Sequence, residues 1–390
     1  MAYRASAQLA DMEFMLFIPT ALEPENSKGS ILPYLLYAID LPIDTIDCEG
    51  MTIDIPREMR KIAKGSELGK VICNYYWSQR LAEGKGTTHG GLYMDFSKLL
   101  RMPILIFNMG FKVMLSYFKQ FYKYGHYHSD DLFLFKKIIL ERKKLEFGLC
   151  SEYSMGGIVI DNTMATCIPG LNAAGEASSG LFGACRVADA TTEMMVQGNR
   201  AGISAANYAS SVPMPDIDDE QEEAILDKIN APLTRDQGPN SLAVIQTIHK
   251  TADSGFSSHR DEDGLTSALK DIERIRDEDL PRLTTKSKSQ EYNYERICAL
   301  QAENLLTCLE AGIRAALMRR ESRGFHLRAD YPQVDNDRWA IRIILEKNPK
   351  GMSLTERKPE VLNIDIPEGK EANIAEYIVK QKLNFKNASH

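Results

Sequence analysis

The sequence predicts an α/β chain with a separate helical domain, on three observations. Sheet-like stretches (MEFMLFIPT, LYMDF, GGIVID) alternate with helical ones over the first 210 residues, as layered α/β chains do. From there to residue 320 the pattern is helical, with turn residues only between segments. No strand–GxGxxG–helix unit occurs anywhere, so the α/β part lacks the fingerprint of a doubly wound dinucleotide fold.

In order, residues 1–20 read as a helix end and then a short strand, MEFMLFIPT, stopped by Pro19. Residues 21–50 are loop-rich, with short extended pieces in IDLPIDTID. Pro56 to Glu83 is helical but interrupted at Gly65 and Gly69; Met59 and Ile62 start one apolar face. Leu68, Val71, Ile72 and Tyr75 form a clearer face at i, i+3, i+4, i+7. The turn GKGTTHGG leads into a strand, LYMDF, and residues 101–124 and 130–149 predict two more helices. Residues 156–177 switch to strand, turn and strand (GGIVID, NTMATCIPG, LNAAGEA), and Thr191 to Ala206 predicts a helix despite Gly198 and Gly202. The acidic run PMPDIDDEQEE reads as a linker and solvated face. Helices follow at 216–231, 240–250 and 262–279, then a long one over 291–320. Its stripe is Ile297, Leu300, Leu305, Leu306, Leu309, Ile313 and Leu317. The last 65 residues, with WAIRIILEK and IAEYIVKQKLNF, predict a small strand-and-helix appendix.

The 390 residues carry a net charge of -7, which leaves no basic footprint for nucleic acid. Seven cysteines lie singly with no CxxC, so neither a zinc ribbon nor an iron–sulfur run is supported and no metal is expected. The N-terminus has no apolar core of a signal peptide. The apolar tract Met102 to Tyr117 is broken by Asn108 and Lys112. It falls short of the roughly 20 residues a membrane span needs, and reads as a buried or amphipathic helix.

Four segments then occur in one order: MAYRASAQLADMEF, GKGTTHGGLYMD, GGIVID…IPGLNAAGEASSGLFGACR, and ALMRRESRGFHLRADYPQVDNDRW. Together they resemble the flavoprotein subunits of the succinate dehydrogenase, fumarate reductase and L-aspartate oxidase superfamily. The resemblance covers most of the chain but omits the family's N-terminal portion, which carries the dinucleotide fingerprint. It implies a partial FAD-binding domain lacking its N-terminal Rossmann half (1–20 and 150–210), with an α+β capping domain over the substrate (21–149). A helical domain (211–322) and a small C-terminal domain (323–390) complete it.

The resemblance implies FAD as cofactor, with Gly175, Glu176 and Ala177 against it and Gly156 and Gly157 beside them. Glycine lets backbone approach a ligand and the acid accepts a hydroxyl hydrogen bond. Thr191 and Thr192 would open a helix whose N–H groups face the flavin, where reduction builds negative charge. Arg186 matches a carboxylate-binding residue and is the expected catalytic and substrate-anion contact, with Glu152, His89 and Arg323 as further substrate-side candidates.

The pattern also breaks. A dicarboxylate clamp needs cations and a proton-transferring group, yet Glu152 stands where a histidine precedes the tyrosine, and Ile18 replaces a second histidine. Lys70 falls at the proton-shuttling arginine and cannot reproduce its planar guanidinium. Cys185 replaces an asparagine, and Asp189 adds an anion beside the expected flavin. Succinate and fumarate are therefore disfavoured as substrates. Arg320, Glu321, Arg323, His326, Arg328 and Asp330 read first as a buried ion network and otherwise as cations at a cleft mouth.

The expected activity is a flavin-dependent oxidoreductase, provided the dinucleotide-binding half completes it. That half would come from a second chain or from upstream sequence; an iron–sulfur subunit is the other expected partner. The location expected is cytoplasmic, or at the inner face of a membrane through partners. The competing class is a cofactor-free structural subunit of a redox complex.

Overall fold

The structure is a computed structural model describing residues 1–23, 28–29, 43–63, 68–104, 107–108, 141, 143–179, 183–185, 190–214, 216, 218–360 and 367–388. In chain order, a 3-10 turn at Ala2–Ala5 precedes strands β1 (Leu9–Ala10), β2 (Met15–Ala21) and β3 (Asp44–Ile46). Helices α1 (Arg57–Ala63) and α2 (Leu68–Ala82) lead to β4 (Leu92–Asp95), β5 (Lys144–Ser154) and β6 (Gly157–Ile158). A helical stretch follows: α3 (Ala190–Ser211), α4 (Asp219–Thr234), α5 (Ser241–Gly255), α6 (Glu262–Arg274) and α7 (Tyr294–Met318). The chain continues with β7 (Val334–Asp335), α8 (Asn336–Trp339), β8 (Arg342–Asn348), β9 (Gly351–Arg357), β10 (Lys370–Glu371) and α9 (Ile374–Ala388). It divides into two compact units, Met1–Met15 with Tyr153–Asn373, and Leu16–Glu152 with Ile374–His390.

The first unit combines a helical bundle with an antiparallel sheet ordered β6-β1-β8-β9. The predicted helices of 216–320 are all present, because each begins at a side chain that accepts a backbone N–H. Asp218, Asn240, Asp261 and Asn293 accept from Gln221, Leu242, Gly264 and Arg296 respectively. Helices α5, α6 and α7 share a core of Val244, Ile248, Leu265, Ile272, Leu306 and Ile313. The stripe predicted for α7 is only half right. Leu306, Leu309 and Ile313 are buried, but Ile297, Leu300 and Leu305 are exposed. Their places on the buried face belong to Cys298, Ala299, Ala302 and Ala316, whose short side chains let the neighbouring helices approach.

Apart from the exposed Arg320, the charged patch after α7 is an ion network with a buried centre at Arg319. This guanidinium donates to Glu13 Oε1 (2.7 Å), Glu321 Oε1 (3.0 Å) and the carbonyls of Trp339 and Ile341 (both 2.8 Å). Arg328 donates to Asp330 and to the Ala316 carbonyl. Arg260 Nη1 donates to the Glu13 carbonyl (2.7 Å) and approaches His326 Nδ1 (3.1 Å). A guanidinium can only donate, so Nδ1 accepts and His326 carries its proton on Nε2, which faces the Arg319 carbonyl at 3.3 Å. Burial, then Arg260 and Arg319, push His326 well below the usual histidine range, in keeping with that neutral form.

The second unit is a sheet ordered β2-β5-β4-β3 with α1, α2 and α9. Two expectations are corrected here. β2 runs through Pro19 to Ala21 rather than stopping at it; at the edge of the sheet among the described residues, it tolerates a residue without an N–H. The helix expected over 130–149 is replaced from Lys144 onward by β5. Leu145 and Phe147 alternate into the core, opposite Met94 and Leu92 on β4. The rest of that expected helix, and most of the one at 101–124, lie outside the described residues.

A buried carboxylate organises the loop after β3. Asp47 accepts from the N–H groups of Glu49 and Met51 (both 2.9 Å) and from Arg80. Burial alone would raise its pKa; the Met51 N–H, Arg80 and the Glu49 N–H outweigh it and hold it below the usual carboxylate range. A depressed carboxyl contributes stability that is present above its unfolded value, about 3.9, and lost as pH falls through the folded one. Asp47→Asn is expected to lower the urea midpoint at pH 7 and to lose less than the parent between pH 5 and pH 3. An unchanged acid limb would show that Asp47 does not set it.

Candidate functional site

The candidate site lies in the first unit, where the end of β5, a turn and the start of α3 meet. Gly175–Ala177 forms a single 3-10 turn rather than the strand expected of LNAAGEA. Gly175 has φ +66°, a left-handed conformation in which a Cβ is strained. Glu176 is exposed, and its Oε1 accepts from the Ser154 N–H at 3.0 Å. The carboxylate is thereby fixed at the end of β5 while still facing solvent.

Gly156 and Gly157 are required here by the protein's own backbone. A Cβ on Gly156 would lie 2.4 Å from the Asp11 carbonyl oxygen, and one on Gly157 would lie 2.6 Å from that of Ala177. Gly157 thus lets β6 run against the Gly175–Ala177 turn, and Ser179 N–H donates to the Ile158 carbonyl (2.9 Å) just beyond.

Helix α3 is inside out. Of its 22 residues only Glu193 and Gln197 are buried, one turn apart on one face. Glu193 accepts from the Tyr153 hydroxyl (2.7 Å). Gln197 Oε1 accepts from the Gly175 N–H (2.6 Å) and the Ser178 hydroxyl (3.0 Å). The flanking and opposite sides carry Met194, Met195, Val196 and Ile203, with Met195 72% and Ile203 58% exposed. A helix normally turns its apolar side inward, and an apolar patch of this kind marks an interaction surface. Thr191 and Thr192 are exposed in the first turn of this helix, the positive end of its dipole, which favours a negative ligand.

The structure therefore brings Gly156, Gly157, Gly175, Glu176, Ala177, Thr191 and Thr192 into one region. The other candidates stand elsewhere or outside the description. Arg186 and Asp189 lie outside the described residues; Cys185 is half-buried. Glu152 is partly buried on β5, in the second unit. His89, also in the second unit, faces the buried Glu146 (3.1 Å), which additionally accepts from Thr87. Arg323 is held by both oxygens of Glu321 (2.7 and 3.0 Å) and by Asn336 (2.9 Å), so it is a member of the ion network. Ile18 is buried on β2 and Lys70 on α2. Sequence reasoning missed Tyr153, Ser178, Glu193 and Gln197, whose pairing is visible only once the elements meet.

An FAD group would need polar partners from the residues present. An exposed, oriented carboxylate, a glycine turn and an exposed helix N-terminus are donors and acceptors for a polyhydroxylated, anion-bearing group. Gly156 and Gly157 are taken up by protein packing. Among the described residues, no group of three His, Cys, Asp or Glu side chains could hold a metal ion, and no helix is long and apolar enough to cross a membrane. Most of the apolar tract 102–117 lies outside those residues.

Residues 245–372 match the family described as fumarate reductase flavoprotein C-term. The chain is 28% identical over 360 residues to one of the subunits of the fumarate reductase (CoM/CoB) of Methanothermobacter marburgensis, covering 89% of this chain and 58% of that protein. It is 26% identical over 361 residues to the L-aspartate oxidase of Streptomyces coelicolor, covering 90% and 55% respectively. The solved structure of Mycobacterium smegmatis Sdh1 in complex with UQ1 superposes with a TM-score of 0.74 at 24% identity, covering 92% of this chain and 57% of that one. The chain thus spans less than three-fifths of each of these relatives. What it shares with them is a mixed α/β fold corresponding to a partial FAD domain without its Rossmann half. On these grounds the C-terminal region, residues 245–372, matches the fumarate reductase flavoprotein C-term family, and the chain is similar to fumarate reductase and L-aspartate oxidase flavoproteins over part of their length.

Proposed function

We propose that this chain is part of an FAD-dependent oxidoreductase that passes hydride or electrons through flavin to a substrate other than fumarate or succinate. The observation that carries the reading is the inverted helix α3: its apolar side is bare beside an exposed carboxylate and helix N-terminus. A dinucleotide-binding half, on a second chain or in upstream sequence, would cover that side and complete the cofactor site. An iron–sulfur subunit is the proposed electron partner.

FAD, when bound, supplies hydride and single-electron transfer chemistry. Glu176 would accept a hydroxyl of its ribityl or ribose part, held in place by the Ser154 N–H. The first turn of α3, at Thr191 and Thr192, would favour negative charge on the flavin. Arg186 is proposed as the substrate-anion contact and Glu152 as a substrate-side acid that disfavours a dicarboxylate. His89 and Arg323 are left to Glu146 and Glu321. The four-part division into partial FAD-binding, capping, helical and C-terminal domains belongs to the same proposal.

The test is native mass spectrometry and a visible spectrum of the protein isolated from its source with its neighbours. Flavin absorbance in a species larger than this chain is expected, with the chemically reduced flavin not reoxidised by fumarate. A colourless single-chain species would sink the reading and favour a structural subunit.

A further inference from the structure

We infer that Gln197 is a positioning residue that sets the conformation of the Gly175–Ser178 turn and, through it, the hold on flavin. The inference rests on the reading of that turn as flavin-contacting. Gln197 sits in the third turn of α3 and is almost wholly buried, on a helix whose apolar residues face out. The Gly175 N–H can only donate, so the side-chain atom facing it at 2.6 Å is the amide oxygen, and the orientation of the amide is settled. The same oxygen lies 3.0 Å from Ser178 Oγ, whose one hydrogen is shared with the Gly175 carbonyl at 2.8 Å.

One acceptor thus gathers both ends of the turn that presents Glu176. The turn needs such an acceptor. Gly175 is buried with φ +66°, and its N–H points at α3 and away from solvent, so no water replaces the amide without opening the helix from the turn. Glu193, one turn earlier, ties the same helix to Tyr153. Tyr153 precedes Ser154, whose N–H holds Glu176. Helix, strand end and turn are therefore linked in a closed ring, and Gln197 is the member that touches the turn directly. Without its oxygen Glu176 keeps its chemistry but loses its place.

The test uses the flavin-loaded protein as isolated, with Gln197→Met (similar length, no acceptor), Gln197→Glu (acceptor kept) and Ser178→Ala. Flavin release after dilution and amide exchange of Gly175 are followed in each. Gln197→Met is expected to release flavin about tenfold faster and to expose the Gly175 amide, the size expected for one buried donor left unpaired. Gln197→Glu should stay near the parent in both. Ser178→Ala should give a smaller acceleration that does not add to that of Gln197→Met. Parent-like release by Gln197→Met, failure of Gln197→Glu to restore it, or strict additivity with Ser178→Ala overturns the inference. If Gln197→Met does not fold, parent-like release by Ser178→Ala overturns it instead. A parent protein that holds no flavin overturns the underlying flavin reading, an outcome distinct from the others.

Discussion

Arg319→Ala is expected to destabilise the first unit by about 3–5 kcal/mol, the cost of breaking a buried ion pair from one side. Arg319 has no exposed surface and Glu13 has none either. Removing the guanidinium strands the Glu13 carboxylate and leaves the Trp339 and Ile341 carbonyls without their donor. Burial already pushes Glu13 above the usual carboxylate range, with Arg319 the main force opposing it; in the variant that opposition is gone. The sign of the pH dependence follows. A carboxyl with a raised folded pKa carries no penalty below its unfolded value, near 4.3, and an increasing one as pH rises toward the folded value. Urea unfolding of Arg319→Ala should therefore show a deficit that grows between pH 5 and pH 8. A deficit under about 1 kcal/mol, or one independent of pH, would mean that Glu13 is not held by this charge.

Gly156→Ala is expected to cost about 1–3 kcal/mol or more, the range for forcing extra atoms into a packed interior. The added methyl would meet the Asp11 carbonyl oxygen at 2.4 Å and the Met12 nitrogen at 2.6 Å, both main-chain atoms that no side-chain rotation can clear. Asp11 is itself held with φ +60° and by Arg342 at 2.8 Å, so the segment has little freedom to retreat. Thermal unfolding checks the cost. A parent-like midpoint would show that the double glycine is not set by packing and would return it to the cofactor.

What the sequence discloses depends on how far apart the interacting residues are. The helices of 216–320 were legible because cap and apolar face lie within a few residues of each other, as at Asn293 and Arg296. β5 was not, because the charged run before it mimics a helix face while its strand character comes from pairing with β4. The Gly175–Ala177 turn reads as strand in the sequence, because its N–H partner Gln197 lies a helix away, and the reason for Gly156 was hidden too: the peptide it clears is at Asp11. Gln197 carries no local signal at all, since a glutamine on an alanine-rich helix is ordinary until the turn 22 positions earlier folds beneath it. The ion network was anticipated from its density between 320 and 330, but its centre was missed because Glu13 stands in an apolar stretch.

The link between Glu13 and Arg319 joins residues 306 positions apart, and β1 finds its neighbour β8 beyond that. At ordinary rates of synthesis, roughly 5–20 residues per second, Arg319 leaves the ribosome some 15–60 s after Glu13. During that interval Glu13 lacks its cation, and β1 can pair with β6 but not with β8. Residues 1–15 therefore cannot complete their packing until Arg319 and β8 have been made. A pulse-labelled chain arrested before residue 319 should accordingly remain protease-sensitive in residues 1–15, and become resistant there only after β8 has been made.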